Sequence, residues 1–372
     1  MAGPEKKLFK DWFDADAAAR LAQQMRRAYP AFDAEGFQGQ ATSGLKHLEF
    51  HGRIQLFADA LRAHLPDAVH EALDILVRSL PPLLPDCESV TDGWLQWPLG
   101  VWIADHGVPH LDDAFRAMEA LTQRFSSEFA VRPFLIAYPD DCFRRLLALS
   151  THPSAHVRRW CSEGTRPRLP WGKRIPSLIE DPSPALPILE ALCNDPEPYV
   201  RRSVANHVND IAKDHPEIAR DICRRWMKHA TPERAALVRH ALRSLIKEGD
   251  PDALRILDFP PPKNIEIDFI LYPKALQIGD SLEIKAQLRN AGSQAASLAL
   301  DYKLHFARPG GRASAKVFKW TTLTLQPGET RTLVKRHPMR HASIRQLHPG
   351  EHHIELQLNG QKPAQASFRL EM

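Results

Sequence analysis

One internal repeat constrains this chain more than any other feature. The segments "HPSAHVRRWCSEG" (152–164) and "DPEPYVRRSVANH" (195–207) superpose at a spacing of 43 residues. In each, a proline is followed four residues later by Val-Arg-Arg at the opening of a helical pattern. Between them "PSPALPILEALCND" supplies another amphipathic run, and "TPERAALVRHALRSLIKEGD" (231–250) is a weaker third copy with Val238 and Arg239 in the Val-Arg places. A period near 40 with two helices per unit is the mark of HEAT-type repeats. Such units cannot bury their apolar faces alone, so they stack into a solenoid with a concave surface. Arginine pairs recurring at one helix start would then build a charged stripe along it.

The pattern upstream is also helical. "DAAARLAQQMRRAY", "FHGRIQLFADALRAHL", "ALDILVRSLPPLL", "LDDAFRAMEALTQRFSSEFAVRPFLI" and "PDDCFRRLLALSTH" carry apolar residues at three- and four-residue spacing, with Asp, Ser, Thr or Pro at their starts. After "DFPPPKN" the period changes to two. Seven short alternating runs from "IEIDFILYP" to "QASFRLEM" are separated by turns such as "RPGGR", "QPGE" and "HPGE". The expected architecture is therefore an all-α HEAT-like repeat solenoid over 1–258, a Pro-rich linker at 259–264, and an all-β immunoglobulin-like sandwich over 265–372.

Charge is distributed along the same lines. Residues 156–247 hold 17 Lys+Arg against 11 Asp+Glu, and residues 264–372 hold 15 against 9, while the remainder is net acidic. Basic charge in the middle and at the end suggests contact with a polyanion, against the plainer alternative of a mixed solvated surface. No apolar run is long enough to span a bilayer and the N-terminus lacks a signal-peptide core, so no membrane partner is expected. The five cysteines are dispersed and contain no CxxC. They read as reduced thiols of a cytoplasmic protein without structural zinc. The histidines at 337, 341, 348, 352 and 353 lack recognisable ligand spacing, so no metal and no cofactor is expected.

GxSxG, the P-loop, a dinucleotide fingerprint and HExxH are all absent. What remains is a cluster of acidic, basic and aromatic residues in the repeats. Glu163 stands four residues after Arg159, on one helix face. Asp210 lies one turn beyond Asn206, which is the repeat counterpart of Glu163. A carboxylate on a DNA-facing surface repels phosphate unless it is salt-bridged or has a cation to stabilise. Cleaving an N-glycosidic bond creates such a cation, the sugar oxocarbenium. Trp160 and Trp171 could stack on base or sugar. The plainer readings are an ordinary Arg159–Glu163 ion pair, a solvated Asp210, and Trp171 as a packing anchor.

"HPSAHVRRWCSEGTRPRLPWG" followed by "DPEPYVRRSVANHVNDIAKDHPE" resembles the AlkC/AlkD superfamily of HEAT-like-repeat DNA alkylation repair glycosylases, the AlkC type in particular. The resemblance is strongest over 115–258, and some AlkC-type members also carry an immunoglobulin-like domain. It implies a monofunctional, monomeric glycosylase that excises cationic N-alkylated purines, 3-methyladenine above all, from bent double-stranded DNA without flipping the base. It implies Glu163 and Asp210 as the catalytic acids and Trp171 as the aromatic contact near the lesion. Glu128, in a helix lining the same face, and Arg159, near the backbone, would complete the substrate contacts, with Trp160. Arg158, Arg166, Arg168, Lys173, Arg201, Arg202 and Arg239 are the expected DNA contacts. The AlkD branch has an aromatic residue and an aspartate on these helices, whereas a glutamate stands here in the first repeat. The basic loops "ARPGGRASAK" (307–316) and "KRHPMRHASIRQLHPGEHH" (335–353) suit phosphate or minor-groove contact. The alternatives are a repeat protein that binds bent or damaged DNA without catalysis, and a scaffold that uses the groove for a protein.

Overall fold

The computed structural model describes residues 8–308, 314–341 and 346–371. The helices run α1 (Ala15–Ala28), α2 (Ala34–Thr42), α3 (Phe50–His64), α4 (Val69–Ser79), α5 (Trp97–His106), α6 (Leu111–Thr122), α7 (Arg132–Ala137) and α8 (Pro139–Leu149). They continue as α9 (Ala155–Gly164), α10 (Pro176–Glu180), α11 (Leu186–Leu192), α12 (Pro198–Ile211), α13 (Pro216–Met227), α14 (Pro232–Ala241), α15 (Arg243–Glu248) and α16 (Pro251–Ile256). Proline stands in the first turn of α5, α7, α8, α10, α11, α12, α13, α14 and α16, where its missing N–H costs nothing. No helix among the described residues is long and apolar enough to cross a membrane.

The chain forms two compact units. One holds the residues up to Asp214 together with Thr231–Ala241; the other holds His215–Ala230 and everything from Leu242 onward. In the first unit the repeat copies become α9 and α12, which pack side by side, and α12 packs in turn on α14. Val157, Val200 and Val238, the valines of the three copies, are all fully buried. The repeat is therefore a packing repeat: the same valine position is buried in each copy.

Two sequence-based boundaries shift. "LDDAFRAMEALTQRFSSEFAVRPFLI" is not one helix but α6 and α7 with a turn between them, and the turn holds Glu128. There Ser127 donates its hydroxyl to the Met118 carbonyl and turns the chain back before Pro133 can open α7. The third copy likewise splits into α14 and α15 at Leu242.

In the second unit the strands are β1 (Ile265–Tyr272), β2 (Ala275–Gln277), β3 (Ser281–Asn290), β4 (Ala296–Phe306), β5 (Ser314–Leu325), β6 (Thr330–Pro338), β7 (Gly350–Leu358) and β8 (Gln361–Glu371). They form a three-stranded sheet β1-β3-β6 and a five-stranded sheet β2-β8-β7-β4-β5. Strict alternation along β3 and β4 sends Leu282, Ile284, Leu300, Tyr302 and Leu304 into the core. β2, only three residues long and parallel to β8, is the strand that periodicity did not reveal. The basic loops 307–316 and 335–353 fall partly outside the described residues, at 309–313 and 342–345.

Candidate active site

Repeat packing brings the acidic residues together from different elements. Glu163 leaves the last turn of α9, Asp210 the last turn of α12, and Glu128 the turn before α7. Arg166, two residues beyond α9, bridges the first two. Its Nη1 donates to Glu163 Oε1 at 2.7 Å and its Nε to Asp210 Oδ2 at 2.8 Å. The remaining carboxylate oxygens also have donors: Ser203 Oγ reaches Glu163 Oε2 at 2.6 Å, and Lys213 Nζ reaches Asp210 Oδ1 at 2.9 Å. Glu128 accepts from Arg159 Nη1 at 2.6 Å and from the Ser126 hydroxyl.

These are not surface ion pairs. Glu163, Arg166 and Asp210 are 6%, 6% and 1% exposed. Burial alone would raise the Glu163 carboxyl, but the guanidinium groups of Arg159 and Arg166 and the Ser203 hydroxyl outweigh it and hold the group below its ordinary value. Burial would likewise lower the guanidinium of Arg159, yet Glu128 and Glu163 raise it overall. Arg159 also lies over the Tyr199 ring, 5.0 Å from its centroid. Three carboxylates thus meet Arg159, Arg166 and Lys213 in one ion-pair cluster.

Glu128, Arg159, Glu163, Arg166 and Tyr199 line a cleft of about 420 Å³ whose other wall is aromatic. Trp97 stacks on Phe129 there, with ring centroids 5.1 Å apart. Trp171 stands at the rim, 68% exposed and with φ of 64°. A large apolar side chain in the left-handed region, left in solvent, is costly to hold and is the kind of feature that clusters at functional sites. What holds it is Arg132, which is 1% exposed. Arg132 donates Nη1 to the carbonyls of Gly164 and Arg166 at 3.0 and 2.9 Å, and Nε to that of Lys173. Burial and the nearby Arg166 bring its guanidinium down to about 10, so it stays charged at neutral pH. One buried side chain therefore ties both ends of the loop that presents Trp171.

Several expected contacts take other roles. Trp160 is fully buried and donates Nε1 to the Ser127 carbonyl at 3.1 Å, so it packs the α9 core and has no face to offer a nucleotide. Arg158 grips Asp195 through Nε and Nη2 at 2.6 and 3.0 Å, and returns Nη1 to the His152 and Pro153 carbonyls. Arg201 makes the same return to Asp195 and Pro196, 43 residues on. The first arginine of each pair is thus a repeat-locking residue, not part of a charged stripe. Arg166 is spent on its two carboxylates, and Arg168 on Asp214, at 2.7 Å through both Nε and Nη2. Lys173, Arg202 and Arg239 are exposed. Arg202 lines a groove of about 670 Å³ with Arg201, Pro232 and His240. Glu128 does line the cleft, but from a turn and not from a helix.

Residue reasoning missed Tyr199, Ser203 and Arg132. Tyr199 was within reach, because it stands in the repeat place of His156. Arg132 also left a signal: it is a single charge inside the apolar stretch "FAVRPFLI".

Comparison with known proteins places this geometry in context. Residues 266–372 match the family described as the C-terminal immunoglobulin-like domain of the uncharacterised protein YhaZ, and residues 185–215 match the HEAT repeat. The uncharacterised protein YhaZ of Bacillus subtilis (strain 168) is 33% identical over 370 residues, 97% of this chain and 99% of the relative. The solved structure of the Pseudomonas fluorescens alkylpurine DNA glycosylase AlkC, bound to DNA containing an abasic site analog, superposes with a TM-score of 0.89. It is 31% identical, with 98% of this chain and 100% of that chain covered.

Proposed function

The chain belongs to the AlkC/AlkD superfamily of HEAT-like-repeat DNA alkylation repair glycosylases, as an AlkC-type member with an immunoglobulin-like domain, and from this premise we propose that it hydrolyses the N-glycosidic bond of cationic alkylated purines in double-stranded DNA. Of such lesions, 3-methyladenine is the favoured one. The observation that carries the reading is the pairing of a buried, ionised Glu163 with an exposed Trp171 across one small cleft.

The chemistry asks little of the protein. An N-alkylated purine is positively charged before cleavage, so its glycosidic bond needs no general acid to protonate the leaving base. Catalysis then rests on stabilising the oxocarbenium and placing a water. Glu163, whose carboxyl is held below its ordinary value, is a weak proton acceptor and a durable negative charge, which suits electrostatic stabilisation better than proton abstraction. Asp210, fixed behind it through Arg166 and Lys213, keeps that charge in place. Glu128 adds a second negative group at the cleft once Arg159 turns to a phosphate. Trp171 would lean on the lesioned nucleotide and Lys173, Arg202 and Arg239 on the backbone. No base pocket is needed, and the lesion's own lability supplies most of the selectivity. The sandwich would extend the grip on DNA, the protein would act as a monomer, and it would work in the bacterial cytoplasm.

Duplexes containing 3-methyladenine, 7-methylguanine or uncharged hypoxanthine separate this reading from that of a non-catalytic damage binder. Released bases are resolved by chromatography. Release of the charged purines with hypoxanthine retained is the expected result. Tight binding to all three with no base released would leave only the binder.

A further inference from the structure

The five-stranded sheet carries a second cluster that the glycosylase reading does not use. β4 and β7 pair antiparallel with His305 directly opposite His353. Side chains of paired residues share a face, and so do those two apart on one strand. Glu355 therefore joins the two histidines on the face of the sheet away from Tyr302, Leu304 and Ile354, which are buried in the core. The two imidazoles lie 4.0 Å apart, nearly parallel at 13°. Nε2 of His305 and Oε2 of Glu355 are 3.2 Å apart. One ligand atom from each of the three residues lies within 4.8 Å of the other two.

Short distances here do not amount to hydrogen bonds. His305 Nε2 and Glu355 Oε2 are both buried atoms without a well-aligned hydrogen bond; what Glu355 Oε2 has are ionic contacts, to His305 Nε2 at 3.2 Å and to Lys362 Nζ at 3.1 Å. Buried polar atoms left this way are rare, and an ion between them is one established reason. We propose that His305, His353 and Glu355 form a binding site for a divalent transition-metal ion of the zinc class, which staples β4 to β7. Two imidazoles and one carboxylate are a familiar donor set for zinc, with a fourth position left for water. Ligand atoms around tetrahedral zinc stand roughly 3.3–3.5 Å apart, as follows from bonds of about 2.0–2.2 Å. The present spread, within 4.8 Å, must close by side-chain movement for all three to bind one ion. Opposing it is Lys362, whose Nζ is 3.1 Å from Glu355 Oε2 and which must swing away. The sandwich contains no cysteine, so a metal staple would be its one strong cross-link. Histidine spacing along the chain could not reveal the site, because its third ligand comes from a strand about fifty residues earlier.

The test uses the full-length protein, stripped with a chelator and then titrated with Zn²⁺ in competition with a chromophoric chelator, and in parallel with Co²⁺. One equivalent of Zn²⁺ and the intense visible band of four- or five-coordinate Co²⁺ are expected. His305→Ala with His353→Ala, and separately Glu355→Gln, should weaken that binding roughly tenfold or more, and Lys362→Met should tighten it. Zn²⁺ should raise the melting temperature of the wild type and leave that of the double variant unchanged. Glu355→Gln keeps shape and fold, so it carries the test if the double variant does not fold. Binding that is equal in wild type and Glu355→Gln would be adventitious uptake by other histidines and would overturn the proposal, as would the absence of a tight equivalent in the wild type.

Discussion

Arg166 donates to Glu163 and Asp210 at once, so its removal leaves two buried carboxylates facing each other. Breaking a buried pair in this way costs about 3–5 kcal/mol. Arg166→Met should therefore lower stability by that order in urea titration, and Arg166→Lys should recover only part of it, because one ammonium cannot span both acceptors. A loss below about 1 kcal/mol would mean that the bridge does not hold the site. His207 makes a second demand on this region. Its Nδ1 meets the Ser162 carbonyl at 3.0 Å, and burial, with Arg166 next, brings its imidazole down to about 4. An unfolded chain binds that proton near pH 6.5 and the folded one only near 4. Stability from the neutral imidazole is thus complete above 6.5 and lost as pH falls towards 4, by up to about 3 kcal/mol. Melting curves from pH 7.5 to 4.5 should show this slope, and His207→Gln should flatten it. Glu163 acts in a lower window: its carboxyl is depressed, so its contribution is present above the ordinary carboxylate value and lost only in more acid solution.

At the scale of elements, the site depends on how closely α9 meets the turn before α7. A Cβ on Gly164 would lie 2.7 Å from Val131 Cγ1 and 3.4 Å from the Trp160 ring. Gly164→Ala should destabilise by about 1–3 kcal/mol through overpacking, and Val131→Ala in the same chain should relieve most of it. Stability of the pair equal to that of Gly164→Ala alone would place the strain elsewhere. The elements also mark what the sequence could tell. Repeat spacing announced α9, α12 and their valines, because a packing repeat writes itself into the chain at fixed intervals. Glu163 and Asp210 were visible as carboxylates out of place among arginines. Their partner Arg166 was not, since a basic residue in a Pro-rich turn looks the same whether it meets phosphate or a buried acid. Trp160 misled for the opposite reason: aromatic type says nothing of direction, and one helical position turned it into the core. The break that exposes Glu128 came from a local hydrogen bond, Ser127 to Met118, that has no periodic signature.

At the scale of the molecule, sequence charge overstated the surface available for a polyanion. Arg158, Arg166, Arg168 and Arg201 are engaged inside the fold, leaving Lys173, Arg202 and Arg239 exposed among the expected contacts of the first unit. Affinity for duplex DNA should fall with salt, and alanine at each of the three exposed positions should reduce the slope of log K against log salt by about one. Arg158→Ala should instead lower the melting temperature and keep the slope. A salt slope near zero in the wild type would argue for a protein ligand in the groove.

The central claim is that buried carboxylates, and not affinity alone, break the glycosidic bond. Its most direct test is single-turnover release of 3-methyladenine from a defined duplex by the wild type, Glu163→Gln and Asp210→Asn, with DNA affinity and melting temperature measured on the same preparations. Release by the wild type, and a loss of about 10²-fold or more in each variant with binding and fold retained, is the expected result. Equal release rates in the folded variants and the wild type would contradict it.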